Sequence, residues 1–297
     1  MSHGDDDALA VVRRRIAQTF GAWGKGTSLD RMREDFERML AEEGLAPGTP
    51  VDAGGVPGEW IGERGRGTIL FLHGGGYQIG SIASHRGLMT RLAAASGARV
   101  LGIDYRLAPE NRYPAALDDA VRAYRWLCDR LGPGAKVAVS GDSAGGGLAV
   151  ALLLKARDEG LPVPACAALM SPWLDMEASG ESFESRAAVD PMTQRGKLLL
   201  MARAYLGREG DPRDPHASPV HADLRGLPPI LIHVGDHETI LDDSRVFAER
   251  AARAGVAVEL KIWDRMIHHF QVFPELAAAR RSVAEIGVFL ARHLSAG

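Results

Sequence analysis

The segment KVAVSGDSAGGGLAVALLL, from Lys136 to Leu154, decides the fold. KVAVS is a mostly apolar run typical of a buried strand, and the residues after the glycines are typical of a buried helix. Between them lies Gly-x-Ser-x-Gly, in which Gly141 and Gly145 flank Ser143. These glycines permit a turn so tight that the serine stands beside the start of the helix. The segment predicts a strand–turn–helix unit that presents a nucleophilic serine; a serine-capped glycine turn is the plainer alternative.

The same alternation of short apolar runs and helical patterns extends outward from this segment. The runs typical of strands, the first of which begins at Thr68, are TILFL, ARVLGIDY, KVAVS, ACAALMS, PPILIHV and VAVELKIW. Longer segments with apolar residues at helical spacing follow most of them. Continuous apolar strands that alternate with helices indicate a mostly parallel, twisted sheet buried on both faces. The predicted fold class is therefore α/β, with helices flanking the sheet.

Two segments lie outside this alternation. Residues 1–45 have apolar residues at helical spacing on a charged background and come before the first predicted strand. Residues 173–227 interrupt the alternation with helical and proline-containing pieces. The sequence thus predicts an N-terminal helical cap over residues 1–45 and a catalytic domain over residues 46–297, with a second cap insertion at about 173–227.

Composition argues against several classes of function. The 297 residues carry a net charge of −3 and contain no basic run long enough to bind a phosphate backbone, so a nucleic-acid partner is not expected. Two cysteines, Cys128 and Cys166, are too few for a disulfide framework and suit a reducing compartment. The acidic amino terminus has no signal-peptide pattern, and no run of about 20 apolar residues follows it. We therefore expect a cytoplasmic protein without a membrane span.

A glycine run lies at the end of the predicted strand TILFL. Residues 73–77 read HGGGY, and consecutive glycines leave backbone N–H groups uncovered by side chains. An oxyanion that develops during acyl transfer needs such donors about 3 Å away. A phosphate-binding loop is the rival interpretation, but neither G-x-G-x-x-G nor G-x-x-x-x-G-K-[ST] fits the sequence. The run therefore favours an oxyanion loop, and the missing phosphate fingerprint argues against a dinucleotide-binding enzyme.

A serine hydroxyl needs a base that is oriented by a carboxylate, and both residue types follow downstream. The histidines lie in MIHHF, residues 266–270, after the last predicted strand. The candidate acids lie in VGDHETILDDS, after the strand PPILIHV, and are Asp236, Glu238, Asp242 and Asp243. Charges that cap or begin a helix explain at least the last two. The order serine, acid, histidine is the one expected of a serine hydrolase with this fold class.

Taken together, these motifs resemble those of the bacterial hormone-sensitive-lipase-like esterases of the α/β-hydrolase superfamily. The resemblance runs through most of the chain and rests on HGGGY, DYRLAPE, YPAALDDA, GDSAGG, SPWLD, ILDDS and MIHHF, which occur in the family's order. It implies an α/β-hydrolase fold and a carboxylesterase that acts on short acyl esters with no metal and no organic cofactor. It also implies a cap built partly from the N-terminal segment.

The resemblance assigns roles to individual residues. Ser143 matches the nucleophile of the family, and His268 matches the base, because the family writes H-x-F and His268 is followed by His269 and Phe270. The matching oxyanion-hole amides belong to Gly74, Gly75 and Ala144.

The catalytic acid is the point at which this chain departs from the family. The family usually has D-P-L-x-D with a catalytic first Asp, and the matching stretch here begins with Glu238. Glu238 precedes His268 by about 30 residues, as is common in the family, and the superfamily accepts either Asp or Glu in this role. The resemblance therefore implies that Glu238 is the acid, with Asp236 as the second candidate.

The predicted function is hydrolysis of short-chain or aryl carboxylic esters by a serine carboxylesterase through an acyl-enzyme. An amidase or a lactonase would use the same triad, and the sequence does not separate these reactions. A non-catalytic small-molecule receptor is disfavoured because such relatives are expected to have lost the serine or the histidine, and this chain keeps both. The expected partner is a small-molecule ester. Because members of the family often dimerise through a late strand, the resemblance also implies a homodimer, with VAVELKIW as the candidate strand.

Overall fold

A computed structural model describes residues 3–65 and 67–295. Residues 1 and 2 of the predicted N-terminal cap lie outside the described residues, as do residues 66, 296 and 297 of the predicted catalytic domain. The chain begins with two helices, α1 (His3–Gly21) and α2 (Leu29–Leu40). The hydroxyl of Ser28 accepts a hydrogen bond from the Arg31 N–H at 3.2 Å and so caps α2.

The centre of the molecule is an eight-stranded sheet with the order β1-β2-β4-β3-β5-β6-β7-β8. Its strands are β1 (Thr49–Asp52), β2 (Pro57–Ile61), β3 (Thr68–Leu72), β4 (Arg99–Ile103), β5 (Val137–Asp142), β6 (Cys166–Met170), β7 (Ile230–Gly235) and β8 (Val258–Trp263). The strand β2 runs antiparallel to both β1 and β4, and all other neighbours are parallel. The prediction of a mostly parallel α/β sheet is confirmed.

Helices cover both faces of this sheet. They are α3 (Ile82–Ser96), α4 (Ala115–Leu131), α5 (Ala144–Asp158), α6 (Ser182–Ser185), α7 (Arg195–Leu206), α8 (Leu241–Arg253) and α9 (Ala277–Ser295). Side chains of β5 alternate between the two faces: Val137 and Val139 pack in the cluster that includes α4, α5 and α8, whereas Ala138 packs with α3 and α9. Burial on both faces explains why the central strands are apolar throughout.

The strands β1 and β2 were not expected, because the first predicted strand begins at Thr68. They occupy a stretch rich in glycine and proline, and β1 is largely exposed at the edge of the sheet. The strand β1 is a short edge strand, and β2, which is mostly buried, begins with Pro-Gly and contains Glu59, so neither has the apolar run on which the prediction of buried strands depends. The strand β1 pairs with β2, and β2 pairs with β4, so backbone hydrogen bonds hold both strands in the sheet although neither has an apolar run.

The segment between β6 and β7 contains α6, α7 and a short 3₁₀ turn, Pro219–His221. At the other end of the chain, the α1 side chains of Leu9, Val12 and Ile16 are buried in the same apolar cluster as the sheet residue Phe71. The N-terminal helices therefore pack on the body of the protein. Among residues 3–65 and 67–295, no helix combines the length and the apolarity needed to cross a membrane.

Candidate active site

The turn between β5 and α5 holds Ser143 in a conformation that side chains rarely adopt. Ser143 has φ +52° and ψ −122°, which is a positive-φ conformation that costs free energy outside glycine. A Cβ on Gly141 would lie 2.4 Å from the carbonyl oxygen of Gly145, and a Cβ on Gly145 would lie 2.0 Å from that of Leu72. The Gly-x-Ser-x-Gly pattern is thus required by backbone contacts, and it places the serine at the amino end of α5.

The structure brings Ser143, His268 and Glu238 together. The hydroxyl of Ser143 lies 2.8 Å from His268 Nε2, and His268 Nδ1 lies 2.9 Å from Glu238 Oε2. Glu238 comes from the loop after β7, and His268 comes from the loop after β8. Because parallel strands end at the same edge of the sheet, residues far apart in sequence meet there.

The carboxylate of Glu238 is completely buried and has several donors around it. Its Oε1 accepts hydrogen bonds from the Ser171 hydroxyl at 2.7 Å and from the N–H of Gly235. Burial raises the pKa of Glu238 above its usual value, and the hydrogen bonds from His268, Ser171 and Gly235 oppose that rise. Ser171 was not singled out from the sequence as a site residue, although it opens the SPWLD motif.

Burial and the carboxylate of Glu238 shift the pKa of His268 in opposite directions. Burial alone would lower the pKa of His268, but the hydrogen bond and the charge of Glu238 outweigh burial and raise the pKa above the usual 6.5. An imidazole that gains stabilisation when it is protonated is a stronger base towards the serine hydroxyl.

The other candidate acids lie elsewhere. Asp236 accepts a hydrogen bond from the N–H of Arg265 and not from His268. Asp242 and Asp243 lie in the first turn of α8, as expected, but neither side chain caps the helix. Their carboxylates instead accept backbone N–H groups of the segment after β6, at 2.8 Å from Ser182 and at 2.8 Å from Leu174. These two acids anchor that segment on α8.

The N–H of Gly74 is not free to stabilise an oxyanion. It donates to Asp142 Oδ1 at 3.0 Å, and Gly74 does not line the cavity in front of Ser143. The neighbouring Gly75 and Gly76 do line that cavity. The contact does not agree with the role expected of Gly74, because a side chain distant in sequence already accepts its N–H. Gly76, which the sequence analysis did not name, lines the cavity beside Gly75.

Among the described residues, no protein acceptor is found for the backbone N–H groups of Gly75, Gly76 and Ala144. The Ala144 N–H lies in the first turn of α5, where helix amides have no partner within the helix. Glycine is required at the two loop positions, since both have positive φ values, +123° at Gly75 and +61° at Gly76.

A mostly apolar cavity of about 370 Å³ opens in front of Ser143. A series of aromatic side chains extends from His269 along the cavity. Phe36 stacks on His269, Phe20 contacts Phe36, and Trp23 contacts Phe20, with ring centroids 6.4, 6.4 and 4.5 Å apart. The lining also contains side chains from α7 and the preceding turn, among them Met192, Leu198 and Met201. A cavity of this size and polarity suits a small organic molecule.

Comparison with known proteins identifies the family. A family model described as α/β hydrolase fold matches residues 69–272. An acetyl-hydrolase of Streptomyces hygroscopicus is 43% identical over 265 residues, which cover 88% of this chain and 87% of that protein.

Solved structures are similar over nearly the whole chain. The crystal structure of an esterase from the bacterial hormone-sensitive lipase family has a TM-score of 0.90 and 42% identity, covering 99% of both chains. A crystal structure of a protein soaked with p-nitrophenyl butyrate has a TM-score of 0.88 and 42% identity, covering 97% of this chain and 99% of that one. The chain therefore belongs to the α/β-hydrolase-fold family and is a carboxylic ester hydrolase of the bacterial hormone-sensitive-lipase-like group.

Proposed function

We propose that this esterase hydrolyses short-chain or aryl carboxylic esters through a covalent acyl-enzyme on Ser143. The observation that carries the proposal is the continuous hydrogen-bonded series from Ser143 through His268 to Glu238, with separations of 2.8 and 2.9 Å. A base within hydrogen-bond distance of a hydroxyl, itself oriented by a carboxylate, is the arrangement that activates a serine nucleophile.

In the first half of the reaction, Ser143 Oγ attacks the carbonyl carbon of the ester while His268 Nε2 takes the hydroxyl proton. The negative charge then moves to the carbonyl oxygen, which the N–H groups of Gly75, Gly76 and Ala144 stabilise. When the tetrahedral intermediate collapses, the ester C–O bond breaks and His268 gives its proton to the leaving alcohol. Glu238 stabilises the imidazolium throughout.

In the second half, water takes the place of the alcohol. His268 removes a proton from the water, the resulting oxygen nucleophile attacks the acyl carbon, and the proton returns to Ser143 as the carboxylic acid leaves. Each proton transfer in this scheme is carried by a side chain of this chain. The proposed reaction thus needs no metal and no organic cofactor, and activity without either stays a prediction.

Residues 1–45 and 173–227 together form the cap over this site in our proposal. Two contacts support the pairing of these segments with each other and with the oxyanion loop. Arg13 donates to the Val189 carbonyl at 2.8 Å, and Arg33 donates to the Gln78 carbonyl at 2.9 Å. The cap excludes water and supplies apolar walls, which strengthens electrostatic stabilisation inside the site. A homodimer through the edge strand β8 stays a prediction.

Covalent labelling tests the proposed nucleophile. After treatment with a sulfonyl fluoride, the esterase should lose activity towards p-nitrophenyl butyrate, and peptide mass spectrometry should find one sulfonyl group on Ser143. Added substrate should slow the labelling because both compounds compete for the same hydroxyl. Complete inactivation with the label on a different residue would contradict the proposal.

Truncation of Trp23 tests the proposed role of the cap in substrate choice. Trp23 lies at the far end of the aromatic series from His269, so a short acyl chain does not depend on it. Because each buried methylene is worth about 0.8 kcal/mol, Trp23→Ala should lower the kcat/KM ratio of p-nitrophenyl octanoate to acetate about tenfold.

The matched control for that experiment is Trp126→Ala. Trp126 packs against Trp60 and does not line the cavity, so its loss should leave the octanoate-to-acetate ratio unchanged. If Trp23→Ala lowers kcat/KM equally for both esters, the N-terminal helices do not set chain-length preference.

A further inference from the structure

A second carboxylate lies directly behind the proposed nucleophile. Asp142 immediately precedes Ser143, is fully buried, and does not line the cavity, so it cannot contact a bound ester. Its Oδ1 accepts the N–H of Gly74 at 3.0 Å. Its Oδ2 accepts hydrogen bonds from His269 Nδ1 at 2.9 Å and from His85 Nε2 at 3.2 Å. The carboxylate therefore contacts groups of the protein and not the cavity itself, although one of its partners, His269, lines that cavity.

This arrangement places two histidine–carboxylate pairs side by side. His268 and His269 are consecutive residues with ring centroids 4.8 Å apart, and each donates through Nδ1 to a different carboxylate. The pair of His268 and Glu238 reaches the Ser143 hydroxyl. The pair of His269 and Asp142 instead reaches the backbone at the start of the oxyanion loop.

The loop is packed against this carboxylate so closely that only glycine fits. A Cβ on Gly74 would lie 2.3 Å from Asp142 Oδ2. The peptide held in this way comes directly before Gly75 and Gly76, which line the cavity and whose N–H groups have no acceptor among the described residues. Because consecutive peptide planes share a Cα atom, the position of the Gly74 peptide limits the direction of the Gly75 N–H.

The charge of Asp142 makes this contact stronger than an ordinary hydrogen bond. Burial alone would raise the pKa of Asp142, but His85 and His269 outweigh burial and hold the pKa well below its usual range. Burial lowers the pKa of His269 to about 4, so near neutral pH His269 is an uncharged donor. A backbone N–H that donates to an ionised carboxylate makes a hydrogen bond roughly twice as strong as one between neutral groups.

We propose that Asp142, held by His85 and His269, is a positioning residue that fixes the oxyanion loop for the hydrolysis proposed above, on which this inference rests. It acts through the Gly74 peptide on the donors of Gly75 and Gly76. Its contribution therefore falls on the transition state, in which the carbonyl oxygen carries charge, and not on binding of the neutral ester.

Asp142→Ala provides the direct test with p-nitrophenyl butyrate. A displacement of about 1 Å at a reacting centre can cost about 10²-fold in rate, so we expect kcat to fall about 10²-fold. KM should stay within about threefold, since Asp142 does not line the cavity and the displaced N–H groups act on the charged transition state and not on the neutral ester. Retention of more than a third of the kcat would overturn the proposal.

A second readout distinguishes a displaced oxyanion loop from general damage. An ester and the matched thionoester differ only in the atom that becomes negatively charged, and sulfur is a larger and weaker acceptor than oxygen. An intact oxyanion hole therefore favours the ester. In Asp142→Ala the ratio of ester to thionoester kcat/KM should fall towards the ratio measured with hydroxide in buffer. Equal losses for both substrates would overturn the proposal.

Two further variants test the same contact if Asp142→Ala fails to fold. Asp142→Asn keeps an oxygen for the Gly74 N–H while His85 and His269 change tautomer, so kcat should recover to within about tenfold of the parent. Gly74→Ala keeps the N–H but places a Cβ 2.3 Å from the carboxylate, and should lower the ester-to-thionoester ratio. An unchanged ratio in Gly74→Ala would contradict the inference.

Asp243→Ala is the matched control. Asp243 is an equally buried carboxylate that accepts two backbone N–H groups, at 2.8 Å from Leu174 and 3.0 Å from Asp175, away from the oxyanion loop. It should lower thermal stability without changing the ester-to-thionoester ratio. A fall in that ratio as large as in Asp142→Ala would overturn the specific role of Asp142.

Two other outcomes separate this inference from its alternatives. His85, Asp142 and His269 are residue types that also ligate metals, so activity lost in chelator and restored by zinc would overturn the positioning role in favour of a metal site. If Ser143→Ala keeps its activity, the proposed function itself fails. If Ser143→Ala is inactive but Asp142→Ala behaves like the parent, only the positioning role fails.

Discussion

Ser143→Ala is expected to lower kcat for p-nitrophenyl butyrate by about 10⁴-fold or more while leaving the protein folded. Without the hydroxyl no acyl-enzyme forms, and water must attack the bound ester directly. The remaining rate then comes from substrate binding and from the N–H groups of the oxyanion hole. Steady-state kinetics on the purified variant, together with circular dichroism, measure both parts of this expectation.

The control for Ser143→Ala is Ser140→Ala. Ser140 is a buried serine on β5 whose hydroxyl donates to the Ala168 carbonyl at 2.7 Å, away from His268. Its loss should affect stability more than kcat. If Ser143→Ala retains more than a tenth of the parent activity, the serine mechanism is wrong.

Glu238→Gln is expected to lower kcat by about 10²- to 10⁴-fold with little change in KM. The amide keeps the size of the side chain, but it has no negative charge to stabilise the imidazolium and can favour the wrong tautomer of His268. Because these effects belong to the transition state, they appear in kcat. Initial rates at saturating and limiting substrate separate the two constants.

The same substitution should also move the pH profile. The base must be neutral to accept the serine proton, so the rate rises with pH through the pKa of His268, and Glu238 holds that pKa above 6.5. In Glu238→Gln the stabilising charge is gone while burial remains, and burial lowers the pKa of His268. The acidic limb of kcat/KM should therefore shift to lower pH as the plateau falls.

Asp236→Asn is the control for the choice of acid. Asp236 contacts the Arg265 backbone and not the base, so its substitution should change kcat less than about threefold and leave the acidic limb in place. If Asp236→Asn proves the more damaging of the two, the assignment of Glu238 as the catalytic acid is wrong.

The fold could be predicted wherever burial leaves a local pattern in the sequence. The strand β5 is buried on both faces, so its apolar run can be recognised without knowledge of its neighbours. The edge strand β1 is largely exposed, and its pairing with β2 depends on backbone hydrogen bonds that any residue except proline can make. An exposed edge strand leaves little trace in composition, and β2, although mostly buried, begins with Pro-Gly and contains Glu59, so neither strand shows an apolar run.

The site could be predicted in part for a related reason. The order of motifs suggested Ser143, Glu238 and His268, and the structure brings these side chains within hydrogen-bond distance. Their catalytic roles stay a proposal. The glycine run of HGGGY indicates backbone N–H groups that no side chain covers, but it does not show which of them already donates to another group of the protein. The acceptor of the Gly74 N–H is a side chain 68 residues away, and such a contact has no local signal.

The backbone contacts around Gly141, Gly145 and Gly235 bear on how this esterase can change over time. A Cβ at any of the three would lie within 2.0 to 2.4 Å of a carbonyl oxygen, so no side chain can be added without moving the main chain. The cavity walls at Trp23 and Met201, in contrast, consist of side chains on helices and turns. Natural drift or laboratory evolution towards new esters should therefore accumulate substitutions in these walls and leave the frame of the catalytic groups intact.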